Sequence, residues 1–184
     1  MISFKENQDL GGMDGGMKLG NWQDKATVKK GDFGEKIVRN YLEGKGFIIY
    51  EPLTDGAHSF DKLAIKNKRT IVIAEVKSKA RMNFYNATGI DIKHFKEYKF
   101  IGEKYNLPVY LFFVDEMLGK IYGNKLSELL KPVEDDLKYP NTEKVKNIIL
   151  FSLNSMVDIH ILTKIEIDYL REHSTRKYDY NKKL

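Results

Sequence analysis

The sequence predicts an α/β fold, a mixed sheet flanked by helices, from three observations. Apolar residues recur at helical spacing in residues 31–44 and again in 90–105. Short β-branched and aromatic runs at 47–50, 60–66 and 71–77 are separated by turn residues. Val109 to Val114 is an unbroken apolar run, the pattern of a strand buried on both faces. The resulting order is αβββαβ, with helices packed on a sheet.

Residues 1–28 are expected to be a flexible lead-in, because Gly11, Gly12, Gly15, Gly16 and Gly20 raise the entropy lost on ordering. Trp22 is its candidate for docking on the body. Residues 29–184 are expected to form a single domain, with a core at about 31–114 and an extension at about 115–184. Asp32 is placed to cap a first helix whose Phe33, Ile37, Val38, Tyr41 and Leu42 share a face, and Gly44 and Gly46 end it. Phe47 to Tyr50 reads as a strand, and the turn-rich T-D-G-A-H-S (54–59) follows. In F-D-K-L-A-I-K, Phe60, Lys62 and Ala64 alternate with Asp61, Leu63 and Ile65. N-K-R (67–69) links this strand to I-V-I-A-E-V-K (71–77) as a hairpin. The second helix, from about Ile90 to Tyr105, is closed by Asn106 and Pro108.

The extension offers a short I-Y-G element (121–123), a brief helix near Leu126–Leu130 and a polar loop through Pro132 and Pro140. Two strands follow, I-I-L-F-S-L (148–153) and V-D-I-H-I-L (157–162), the second suited to a sheet edge. A final helix opens on Thr163-Lys-Ile-Glu166, the spacing of a capping box.

Composition narrows the chemistry. The 184 residues contain no cysteine, which excludes disulfides, thiolate metal sites and a cysteine nucleophile. Any metal must sit on Asp, Glu, His or main-chain oxygen, the donors of hard cations. No Gly-rich phosphate loop of the G-x-x-x-x-G-K-[ST] type occurs. The N-terminal stretch is polar where a secretory signal places its apolar core, and no apolar run approaches the ~20 residues that span a bilayer. A cytoplasmic protein without membrane contact is therefore expected.

Glu75 and Lys77 lie two apart on a predicted strand, so they project from one face, and Asp61 on the neighbouring strand lies beside them. Two carboxylates and the Val76 carbonyl make an oxygen cage suited to Mg²⁺ or Mn²⁺. The same residues also suit a cross-strand salt bridge on a solvated face. Taken with the order of elements, F-D-(13 residues)-E-V-K resembles the signature of the PD-(D/E)XK nuclease superfamily, whose fold is restriction-endonuclease-like. The stretch G-D-F-G-E…G-F-I-I-Y…D-G-A-H-S-F-D…I-A-E-V-K is most similar to archaeal Holliday junction resolvases and related small nucleases. Phe60 stands where the signature has Pro.

The resemblance implies a Mg²⁺- or Mn²⁺-dependent endonuclease acting on DNA. Asp61 and Glu75 would be its metal ligands, and Lys77 would contact the nucleophilic water or scissile phosphate. It also implies an additional acidic ligand at Glu35, although Asp32-Phe-Gly-Glu35 is equally the spacing of a helix cap. His94 and Tyr98 stand where many members carry Gln and Tyr. Junction cleavage would require a homodimer presenting two sites.

Charge distribution fits a nucleic-acid partner. The chain carries a formal +5, and from Val76 to Lys104 seven basic residues face three acidic ones. Lys79, Arg81 and Tyr85 mix cations with an aromatic ring, as phosphate contact and base stacking require. A second basic run lies at 176–183. A non-catalytic nucleic-acid-binding module of the same fold would keep that charge, with its carboxylates reduced to salt bridges.

Overall fold

The computed structural model describes residues 22–52, 60–67, 69–82, 85–131 and 147–175. A 3-10 turn at Trp22–Asp24 leads into α1 (Ala26–Gly44). Next come β1 (Ile48–Tyr50), β2 (Lys62–Lys66), β3 (Thr70–Ser78), β4 (Ala87–Asp91) and α2 (Ile92–Tyr105). Then follow β5 (Val109–Asp115), β6 (Lys120–Lys125), α3 (Leu126–Leu129), β7 (Ile148–Ser152), β8 (Val157–Ile161) and α4 (Lys164–Glu172). Six strands form one mixed sheet in the order β1-β2-β3-β5-β6-β8, and β4 pairs with β7 in a second, two-stranded sheet. Only β3 and β5 are parallel within the large sheet, with α2 in the connection between them. The fold is the expected one, a mixed sheet flanked by helices.

Strand periodicity distributes the core. Val72, Ala74 and Val76 of β3 and Phe112 and Val114 of β5 pack under α1, through Ile37, Val38 and Leu42, and under Leu170 of α4. Ile73, Val109, Leu111 and Phe113 face the other way, towards Tyr98 of α2, Leu126 and Leu129 of α3, and Ile90 and Phe151 of the small sheet. Burying each such Leu, Ile or Phe contributes ~1.5–3 kcal/mol. Burial on both faces explains why β5 reads as a continuous apolar run. At the hairpin between β2 and β3, Asn67 adopts the left-handed region with φ 60°, and Asn106 does so with φ 50° at the end of α2. Thr163 and Glu166 form the expected capping box.

Three expectations are corrected. First, α1 begins at Ala26, inside the stretch expected as a lead-in, and Asp32 lies inside the helix, with Glu35 more than two turns from its start. Neither residue caps it. Gly34 serves packing: a Cβ there would stand 1.7 Å from Ser78 Oγ, so glycine lets α1 lie close on β3. Second, residues 87–91 form β4 and not the start of a helix or a contact loop, and α2 begins at Ile92. Gly89 permits this pairing, since a Cβ there would meet the Ile149 carbonyl at 2.3 Å. Third, β7 leaves the main sheet for β4, whereas β8 does take the edge beside β6. The polar loop through Pro132 and Pro140 lies outside the described residues, as does the side chain of Trp22.

Among the described residues no helix is long and apolar enough to cross a membrane.

Candidate functional site

The site arises where two strands of unequal length part. β2 ends at Lys62, opposite Ala74, while β3 continues through Glu75, Val76, Lys77 and Ser78. Along β3 the main chain of alternate residues faces alternate neighbours. The Ile73 N–H turns towards the β5 side, donating to the Pro108 carbonyl at 2.9 Å. The Val76 N–H therefore turns to the edge that β2 has vacated, and there it donates to Asp61 Oδ2 at 2.7 Å. A residue's N–H and C=O share a side in a strand, so the Val76 carbonyl faces the same open edge.

Asp61 and Glu75 interlock at that edge. The Asp61 N–H donates to Glu75 Oε2 at 3.1 Å, while the Asp61 carboxylate accepts from Val76. Glu75 is 2% exposed, and its Oε1 accepts from Lys77 Nζ at 2.6 Å and from the Tyr98 hydroxyl. Lys77 also lies over the Tyr98 ring, 5.6 Å from its centroid, which gives its ammonium an aromatic face as well as a carboxylate. Glu75 and Lys77 do share a face, as the period of two requires.

Electrostatics distinguish this cluster from an ordinary surface pair. Burial, then the neighbouring Glu75 carboxylate, push Asp61 up to about 6, against the opposing pull of the Val76 N–H, Lys77 and Lys62. Burial and then Asp61 raise Glu35 above the usual carboxylate range, with Lys62 opposing. Burial beside Glu75 raises the Tyr98 hydroxyl too, so it stays protonated as a donor. A lysine cannot fully compensate two partly desolvated carboxylates.

Asp61 and Glu35 line a cleft of about 580 Å³ together with Asp32, Lys36, Arg39, Glu51 and Lys62. Lys62, which sequence reasoning left as one member of an alternating strand, is 1% exposed. Its ammonium lies 2.9 Å from Glu35 Oε2 and 2.9 Å from Glu51 Oε1. Arg39 closes the network at 3.0 Å from the other Glu51 oxygen. The signal was present in the pattern, since Lys62 falls in register with Ala64 on the face that turns inward.

Among the described residues no three Asp, Glu or His side chains converge as a ready-made metal cage. The donor set nevertheless fits a hard divalent cation in kind: two carboxylates, with burial and then Glu75 holding Asp61 high, and the Val76 carbonyl on the same open edge. Glu35 is engaged by Lys62.

Other predicted contacts fall elsewhere. Arg81 is 9% exposed, so its side chain is packed inside and not presented to a ligand, and its main-chain N–H donates to the buried Asp115 at 2.8 Å. Asp115 also accepts from the N–H groups of Met117 and Leu118 and from the Tyr122 hydroxyl, which fastens the end of β5. Tyr98, 4% exposed, is a core residue that donates to Glu75 and offers no open face for a base. His94 stacks outside it at 6.1 Å, and its Nδ1 lies 3.9 Å from Asp91. Lys79 follows the site, its N–H donating to the Lys77 carbonyl, and Tyr85 is exposed just before β4. The basic run at 176–183 lies outside the described residues.

No family model matches this chain, and no curated protein matches it. Among solved structures it is similar to Hjc, a Holliday junction resolvase from the archaeal hyperthermophile Archaeoglobus fulgidus. The identity is 14% over 70% of this chain and 96% of that one, with a TM-score of 0.49.

Proposed function

We propose that this chain is a divalent-metal-dependent nuclease that hydrolyses phosphodiester bonds in DNA, in its finer form a structure-selective or junction-resolving endonuclease. One observation carries the reading: Asp61 and Glu75 are drawn together at an open strand edge, with Lys77 and Tyr98 fixing Glu75. Asp61, Glu75 and the Val76 carbonyl would hold Mg²⁺ or Mn²⁺. When bound, the ion supplies Lewis-acid polarisation of a phosphoryl oxygen and a water of lowered pKa.

The chain's own groups do the rest. Tyr98 and Lys77 together hold Glu75 Oε1, which fixes the orientation of that carboxylate. Lys77, about one-quarter exposed, keeps a positive charge at the mouth of the site, where it offsets the charge gathering on the phosphate in the transition state. Junction cleavage would need two such sites, supplied by a homodimer.

The test is cleavage of labelled junction, flap, duplex and single-stranded DNA with Mg²⁺, Mn²⁺ or EDTA. Cleavage that needs the metal and disappears in Asp61→Ala is expected. Full activity in Asp61→Ala would refute the assignment. A chain that shifts DNA on a gel without ever nicking it would instead be a non-catalytic binding module.

A further inference from the structure

We infer that Lys62 is a built-in cation standing where a second divalent ion would otherwise bind. The site then takes one ion, at Asp61 and Glu75, and Glu35 serves as partner to the lysine and not as a metal ligand. This inference rests on the metal-dependent reading above.

The geometry is specific. Lys62 adjoins Asp61 in sequence, yet the alternation of β2 sends its side chain to the α1 side of the sheet, where it is buried. Its ammonium bridges Glu35 of α1 and Glu51 after β1, both at 2.9 Å. Those are two of the carboxylates that line the cleft beside Asp61, and the two that Lys62 occupies. Arg39, at 3.0 Å, takes the remaining Glu51 oxygen.

Charge points the same way. Lys62 reaches both Glu35 and Glu51, while Arg39 takes the other Glu51 oxygen and also meets Glu43 at 3.4 Å, so neither Glu35 nor Glu51 is left without a cation. Asp61 and Glu75 have only Lys77 as a direct ionic partner among the described residues. Of Asp61, Glu75, Glu35 and Glu51, Asp61 alone has no ion pair among the described residues, and a cation is drawn there and not to Glu35. A lysine is permanent, needs no free-ion concentration and cannot dissociate. It orders Glu35 beside Asp61 without using it as a ligand.

The experiment is Mn²⁺ binding to the full chain, measured by calorimetry and by electron paramagnetic resonance with the metal alone. Wild type should bind one ion, and Asp61→Asn should lose it. Glu35→Gln should keep it within ~3-fold, short of the ~10–100-fold cost of disturbing a metal's supporting groups. Lys62→Met should gain a second ion. Two ions in wild type, one of them lost in Glu35→Gln, would overturn the inference and leave the nuclease reading standing. A folded Lys62→Met that still binds one ion would also overturn it. Should Lys62→Met fail to fold, wild type and Glu35→Gln alone decide the matter. Absence of any binding in wild type would remove the metal-dependent reading and this inference together.

Discussion

Asp61→Asn should destroy cleavage and at the same time stabilise the metal-free protein at neutral pH. An unfolded Asp titrates near 3.8, whereas burial and Glu75 hold folded Asp61 at about 6. Between those values the folded chain keeps a proton that the unfolded chain has lost. Stability is therefore unaffected by Asp61 below pH 3.8, falls as pH rises through the window, and carries the full penalty above pH 6. A rise from 3.8 to about 6 corresponds to ~3 kcal/mol between the two protonation states. Asparagine never charges and can still accept from the Val76 N–H, but it gives up the charge-assisted part of that bond, ~1–2 kcal/mol. The net gain at pH 8 is then ~1–2 kcal/mol, or about 2–8 °C in Tm for a chain of this size. Urea denaturation in EDTA at pH 4, 6 and 8 measures it, and saturating Mn²⁺ should reverse the order by stabilising only wild type. A variant no more stable than wild type at pH 8, or one whose advantage persists at pH 4, would refute the electrostatic account.

Tyr98→Phe keeps the ring under Lys77 but removes the hydroxyl that donates to Glu75. Mn²⁺ affinity should fall ~10-fold with the fold intact, as metal titration beside circular dichroism would show. Gly89→Ala drives a methyl to 2.3 Å from the Ile149 main-chain carbonyl, which cannot rotate away. It should cost ~1–3 kcal/mol in urea denaturation and leave cleavage per folded molecule unchanged. A loss below ~0.5 kcal/mol, the range of neutral surface changes, would mean that β4 and β7 do not hold this register.

What could be read from the chain depended on distance along it. Glu75 and Lys77 share a face because a strand repeats every two residues, and Asp61 joins them because a short hairpin fixes the partner strand. Those are local rules. The roles of Tyr98 and Lys62 depend on how helices cross the sheet, and no spacing encodes a crossing angle. Tyr98 looks like any helix-face aromatic until α2 lies over β3. Lys62 becomes a bridge only when α1 brings Glu35 above it. β4 escaped notice because it is five residues long, contains Gly89, and finds its partner some sixty residues later. Gly34 likewise shows its role only in the packed structure, where it thins α1 so that the helix fits against Ser78.

The early end of β2 makes the far turn of the hairpin a ruler for the chemistry. Asp61 keeps its place beside Val76 only because Lys66 pairs with Thr70 and the register counts back from there to Lys62 and Ala74. Shifting that register by a single residue would turn Lys62 out of its carboxylate bridge, carry Asp61 off the Val76 amide and move buried Ala64 to the opposite face. Drift in the length of residues 67–69 is thus opposed by the carboxylates at the other end of the strand, which ties the length of a turn to the geometry of the site.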